Sequence, residues 1–178
     1  MSTNATTTTG ERGDILAMLV KQRYFLRFTV RDLTDEQAAQ RSTASELCLG
    51  GLIKHVAEVE RNWVDFILGG SAAMSQRSDE PNAEGSAEDW LPQFRMLPGE
   101  TLATLLDNYE RVARRTDDVV ATLSDLDVSH ALPEAPWFEK GARWSARRVL
   151  LHIIAETAQH AGQADIIRET LDGSKSMG

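Results

Sequence analysis

Cysteine is almost absent from this chain of 178 residues, which contains only Cys48. A single cysteine excludes an internal disulfide framework and any metal site built from several thiolates. Cys48 itself can be interpreted either as a thiol activated near a helix N-terminus or, as we favour, as a small buried apolar residue. The chemistry of the chain is therefore expected to depend on other side chains.

An excess of positive charge is also missing, as are long apolar runs. The net charge is −8, so the chain lacks the basic surface that nonspecific binding to nucleic acids or anionic membranes requires. No apolar run approaches the roughly 18 to 20 residues of a membrane span. The polar start "MSTNATTTTG" has neither the basic nor the apolar part of a signal peptide. We therefore expect a cytoplasmic protein that binds neither nucleic acid nor a membrane.

What the sequence does contain is apolar residues at helical spacing. Its composition, with 42% hydrophobic and 26% charged residues, is typical of a globular protein, and its length suits one domain. Helical periodicity covers four segments, at about residues 11–31, 46–68, 100–123 and 146–171. No strand pattern of useful length appears. We therefore predict an all-α protein, a four-helix bundle with two longer connections.

Capping signals mark the ends of several predicted helices. Thr34 and Gln37 form a capping box that opens a short helical turn. Ser145 is a good N-cap for the last helix, and Gly173 lies just beyond its end.

The predicted connections are irregular. Gly69-Gly70 should end the second long helix, and a long surface segment follows, with one short helix in "SAEDWLPQF". Residues 124–144 are predicted to lack regular structure. The predicted organisation is a disordered tail over residues 1–10, one domain over 11–172 and a flexible C-terminus over 173–178.

The last helix turns two ionisable side chains towards the core. Each residue advances by about 100° around the helix axis, so its angular position can be counted from Val149. The apolar residues of the last helix cluster between about 0° and 60°, which defines its buried stripe. His160 lies at about 20°, Glu156 at about 340° on the shoulder, and His152 at about 300° on the margin. Because a carboxylate is costly to bury without a partner, Glu156 and His160 are the pair that needs an explanation.

A third candidate, His55, lies on the shoulder of the second long helix. Residues four apart on a helix stack on one face, so Glu156 and His160 can reach one ion, and His55 would supply a third ligand. Two imidazoles and one carboxylate suit Zn, Ni, Fe or Mn and leave coordination positions open. The alternative is that these histidines are hydrogen-bonded packing residues of the core.

Two segments of the sequence resemble a known family. They are "LGGLIKHVAEVERNWV" and "WSARRVLLHIIAETAQHAGQADIIRE", which are similar to the DinB-like superfamily of metal-binding four-helix bundles. Most members carry a histidine on the second helix and an H-x3-H pair on the last. Here Glu156 takes the first place of that pair, a variant that resembles the mycothiol-dependent maleylpyruvate isomerase branch.

The resemblance implies a ligand set for a divalent metal ion. By position, the ligands would be His55, Glu156 and His160, with Zn as the first candidate ion and Ni as the second. His152 is not a ligand in this comparison and would be a neighbouring or packing residue. In close relatives a histidine often follows three residues after the last ligand. That place is Gln163 here, so no accessory role is carried over to it.

The resemblance also implies a function. Several members transfer low-molecular-weight thiols, so we expect a metal-dependent thiol S-transferase or isomerase acting on a small electrophile, with no catalytic residue assigned beyond the ligands. The arginine-rich basic residues favour a GC-rich actinobacterium and hence mycothiol, with bacillithiol as the other thiol. The alternatives are a non-catalytic metal- or ligand-binding stress-response module and a metal-dependent hydrolase. Relatives often dimerise through bundle faces, so a homodimer is one state that the resemblance allows.

Overall fold

The computed structural model describes residues 9–75 and 91–176 of the chain. Within these ranges the chain forms five α-helices, one 3-10 turn and two short strands. The helices are α1 (Glu11–Phe28), α2 (Asp35–Ala39), α3 (Leu49–Ser75), α4 (Leu102–Thr122) and α5 (Ala146–Asp172); the 3-10 turn is Leu91–Phe94; and the strands are β1 (Ser129–Ala131) and β2 (Arg143–Ser145). The prediction of an all-α bundle is confirmed.

The four long helices α1, α3, α4 and α5 form the bundle. α1 packs mainly against α5, while α3 packs against both α4 and α5. Among the described residues, no helix has the length and hydropathy needed to cross a lipid bilayer. Most of the predicted tail, the first five residues of "SAEDWLPQF" and the last two residues of the chain lie outside the described ranges.

The predicted capping signals are confirmed. The Thr34 hydroxyl accepts a hydrogen bond from the Gln37 backbone N–H at 3.2 Å, and the Gln37 side chain accepts one from the Thr34 N–H at 3.0 Å. Ser145 caps α5 by accepting from the backbone N–H of Arg148 at 3.2 Å. Gly173 follows α5 in the left-handed conformation, with φ of 80°. These ends form as predicted because each depends on residues a few positions apart.

The predicted end of the second long helix at Gly69-Gly70 coincides with a break in α3, but the chain continues as a helix beyond it. Gly70 interrupts α3 with φ of 71° and ψ of −165°, and the helix then resumes to Ser75. His130 of β1 lies against this break, where its Nε2 donates to the Ile67 carbonyl at 3.2 Å. A Cβ on Gly70 would lie 3.1 Å from His130 Nδ1. The glycine therefore marks a kink that is packed against a residue far away in the sequence.

The segment between α4 and α5, predicted to be irregular, contains a small antiparallel hairpin. Ser129 pairs with Ser145, and Ala131 pairs with Arg143. Strands of three residues are too short to show the alternation by which strands are predicted. The hairpin places Trp144 and the start of α5 beside α3, where they pack in the apolar cluster that includes Trp63.

A polar layer divides the core along the bundle axis. One apolar cluster includes Leu26, Leu52, Tyr109 and Ala161, and the other includes Leu19, Trp63, Val120 and Ile153. On each long helix, buried polar residues lie between its members of the two clusters. The polar layer consists of one such residue from each helix, namely Arg23, Glu60, Thr116 and Thr157.

Candidate metal centre

α3 and α5 bring the three predicted ligands together. One ligand atom from each of His55, Glu156 and His160 lies within 4.8 Å of the other two. His160 Nε2 is 3.5 Å from Glu156 Oε2, and the His55 and His160 ring centroids are 4.8 Å apart, with the ring planes at 83°. We call these three side chains the ligand cluster.

The ligand cluster is buried on one side and open on the other. His55 is 9% exposed and His160 is 7% exposed, whereas the Glu156 side chain is 30% exposed. This agrees with the predicted positions of His160 inside the stripe of α5 and Glu156 on its shoulder. His55 is more buried than a shoulder residue because the Phe94 ring covers it, with centroids 4.2 Å apart. Access to the cluster is therefore from the Glu156 side.

Two glutamines bind the outer nitrogens of the histidines. His55 Nδ1 is 3.1 Å from Gln93 Oε1, and His160 Nδ1 is 2.7 Å from Gln163 Oε1. Hydrogen bonds of this kind orient metal-binding histidines and fix which nitrogen remains free. The sequence assigned no role to either glutamine. The spacing of three residues from His160 could have indicated Gln163, but no sequence signal connects Gln93 with His55.

The turn that carries Gln93 and Phe94 approaches α3 closely because two glycines face it. A Cβ on Gly51 would lie 1.8 Å from the Phe94 carbonyl oxygen, and one on Gly50 would lie 2.2 Å from Met96 Sδ. Glycine therefore lets the turn reach His55. Cys48 lies in the same contact, 1% exposed, which confirms its interpretation as a buried residue.

His152 lies beside the ligand cluster and belongs to an aromatic group. Its Nε2 is 3.7 Å from Glu156 Oε1, on the other side of the carboxylate from His160. Its ring meets Trp63 and Trp144 edge-on, with centroids 5.0 and 5.1 Å away. This position on the margin is the one predicted from the helical angle.

The electrostatics of the cluster favour ligand-competent protonation states. Burial, reinforced by the charge of His160, lowers the pKa of His55 to about 4. The contact with His160 lowers the pKa of Glu156 below its ordinary value, against the opposing effect of burial. His55 is therefore neutral and Glu156 ionised near pH 7, as metal ligation requires.

The donor set fits a divalent cation. Two imidazole nitrogens and one carboxylate oxygen suit Zn or Ni, and three protein ligands leave coordination positions for a substrate. The neighbouring groups that lower the pKa of the Glu156 carboxyl are histidines. A histidine is a weaker counter-charge than a buried arginine or lysine. A cation would supply the charge that the half-buried carboxylate lacks.

Comparison with known proteins assigns the chain to a family. No curated protein matches the sequence. The model of the Mycothiol-S-transferase family matches residues 14–173, which include all four bundle helices apart from the first residues of α1. That family is DinB-like, so the resemblance drawn from the sequence is confirmed. The chain belongs to the Mycothiol-S-transferase family.

Proposed function

We propose that this chain is a divalent-metal-dependent S-transferase that activates a low-molecular-weight thiol, mycothiol first, for attack on a small electrophile. The observation that carries the proposal is the meeting of three ligand atoms within 4.8 Å inside the bundle. Membership of the Mycothiol-S-transferase family supports the choice of thiol. His55, Glu156 and His160 would hold the ion, with Zn as the first candidate and Ni as the second.

The chemistry follows from the position of the cluster. A bound divalent cation lowers the pKa of a thiol and so favours the thiolate nucleophile. In the transfer, the thiol would lose its S–H proton to solvent, the sulfur would form a bond to the electrophilic carbon, and the leaving group would depart from that carbon with the electrons of the broken bond. Gln93 and Gln163 hold the two imidazoles in place. Phe94 covers His55, so thiol and electrophile would enter on the open side beside Glu156.

Metal content is the first test. We expect the purified protein to contain about one equivalent of a divalent metal, and Glu156→Ala and His160→Ala to lose most of it. If three ligands share a binding free energy of roughly 10–16 kcal/mol, each contributes about 4 kcal/mol. Loss of one ligand should therefore weaken the affinity for the metal about a thousandfold. His152→Ala is the matched control on the same helix and should retain the metal. Unchanged metal content in both ligand variants would contradict the proposed site.

Turnover tests the transfer itself. An electrophilic dye should react faster with mycothiol in the presence of the protein, and a chelator should abolish the acceleration. Bacillithiol in a parallel assay identifies the preferred thiol. Chelator-sensitive turnover that needs no thiol would instead indicate a hydrolase. Metal binding without turnover of any dye would indicate a non-catalytic module.

A further inference from the structure

We propose that Gln93 and Gln163 are positioning residues, which hold His55 and His160 in the tautomer that can bind a cation and thereby set the affinity of the ligand cluster. This inference rests on the metal-binding role proposed above. It gives a function to Gln163, for which the resemblance implies none. It also connects the cluster to the 3-10 turn through Gln93.

The argument starts from the chemistry of imidazole. A neutral histidine carries one N–H, and only the other ring nitrogen has a lone pair for a metal ion. A glutamine carbonyl oxygen can only accept a hydrogen bond. If Nδ1 donates to that oxygen, Nε2 keeps its lone pair, and Nε2 is the nitrogen of His160 that faces Glu156.

For His160, the distances favour Nδ1 as the nitrogen that carries the proton. Nδ1 is 2.7 Å from Gln163 Oε1, within the usual hydrogen-bond range, whereas Nε2 is 3.5 Å from Glu156 Oε2, beyond it. In the neutral imidazole, the shorter contact is the hydrogen bond, so the proton lies on Nδ1. Gln163 thus prevents Nε2 from being occupied by a proton shared with Glu156.

His55 is held in the same way by a residue that is distant in the sequence. Gln93 Oε1 lies 3.1 Å from His55 Nδ1, across a separation of 38 residues. The backbone of the turn rests on Gly51, where a Cβ would lie 1.8 Å from the Phe94 carbonyl oxygen. The orientation of His55 therefore depends on the turn remaining seated, whereas that of His160 depends on α5 alone.

Metal affinity gives the first readout. With a chromophoric chelator as the competitor for Zn, Gln93→Met and Gln163→Met should each bind the ion about 10- to 100-fold more weakly than the wild type. Gln93→Glu and Gln163→Glu retain the acceptor and should restore most of the affinity. Gln159→Met is the matched control, because Gln159 is exposed on α5 next to His160, and it should bind Zn as the wild type does.

A pair of glycine variants tests the seating of the turn without removing a polar group. Gly51→Ala should displace the turn and weaken Zn binding to a similar extent as Gln93→Met. Gly162→Ala is its control, since a Cβ at this position on α5 would meet nothing within 4 Å. Equal affinities for Gly51→Ala and Gly162→Ala would contradict the link between the turn and His55.

The tautomers can be read in the metal-free protein. Nitrogen NMR of ¹⁵N-histidine-labelled protein at about pH 8.5, where ordinary imidazoles are neutral, should show protonated Nδ1 and unprotonated Nε2 at both residues. Gln93→Met and Gln163→Met should each change this pattern only at their own histidine. Protonated Nε2 in the wild type, or wild-type affinity in both variants, would overturn the inference. If the wild type binds metal and both variants bind it equally well, only this inference fails. If the wild type binds no metal, the proposed function fails.

Discussion

Two carboxylates in this bundle differ in the groups that face them. Glu60 of the polar layer is 0% exposed and accepts hydrogen bonds from Arg23 at 3.2 and 2.5 Å and from the Thr116 hydroxyl at 2.5 Å. Glu156 of the ligand cluster faces nitrogens of His160 and His152 at 3.5 and 3.7 Å. The Glu60 carboxylate has an arginine at hydrogen-bond distance. The Glu156 carboxylate has two histidine rings at longer distances.

The difference distinguishes a structural network from the proposed binding site. Arg23 also donates to Asp117 at 2.7 Å. Burial by itself would lower the pKa of Arg23, but Glu60 and Asp117 outweigh it and raise the pKa, so Arg23 carries its positive charge. In the ligand cluster, the Nδ1 atoms of His55 and His160 face glutamine side-chain oxygens. The polar layer contains its own cation, whereas the ligand cluster would receive one in the function proposed above.

The largest effect is expected from breaking the polar layer. Arg23→Met leaves Glu60 buried without its counter-charge and should lower the free energy of unfolding by about 3–5 kcal/mol. Chemical denaturation of the metal-free protein measures this loss. Arg41→Met is the control, because Arg41 pairs with Glu46 on the surface and exposed pairs contribute little. Equal stability of the two variants would remove the structural role assigned to Arg23.

A smaller effect is expected from filling the ligand cluster. A free Zn concentration of about one hundred times Kd should raise the free energy of unfolding by about 2.7 kcal/mol, because the folded state alone holds the assembled site. His160→Ala should gain much less at the same concentration. Denaturation with Zn and with a chelator gives both values. The same gain in His160→Ala would place the ion elsewhere on the chain.

The smallest effect is expected from Glu156→Gln in the metal-free protein. Because Glu156 is half-buried and its oxygens lie 3.5 Å or more from the neighbouring histidine nitrogens, loss of its charge should change the free energy of unfolding by less than about 1 kcal/mol. Glu60→Gln, the matched substitution in the polar layer, should cost several times more, since it removes the charge that Arg23 requires. If Glu156→Gln were as costly as Glu60→Gln, Glu156 would be structural, and the contrast between the two sites would fail.

Much of the fold could be predicted because its signals are local. The Thr34 and Ser145 caps depend on neighbours three residues away, and the four long helices follow from the spacing of their apolar residues. The kink at Gly70 and the hairpin could not be predicted, because the first involves His130 and the second joins Ser129 to Ser145. The polar layer was missed in the same way. With Leu52 as the origin, the apolar residues of the second long helix cluster between about 340° and 60°, and Glu60 lies at about 80°, just outside that stripe. The arginine that binds Glu60 comes from another helix.

The sequence by itself determined that Glu156 and His160 share one face of α5 and that His55 lies on a facing helix, since four-residue spacing places side chains together on any α-helix. It also determined the superfamily, which the family match confirms. Only the tertiary structure decided that the three ligand atoms lie within 4.8 Å of one another and that Gln93 reaches His55 from a distant turn. These contacts depend on how α3, α5 and the turn pack. A close approach such as that of Gly51 to Phe94 produces no periodic pattern from which a single sequence could predict it.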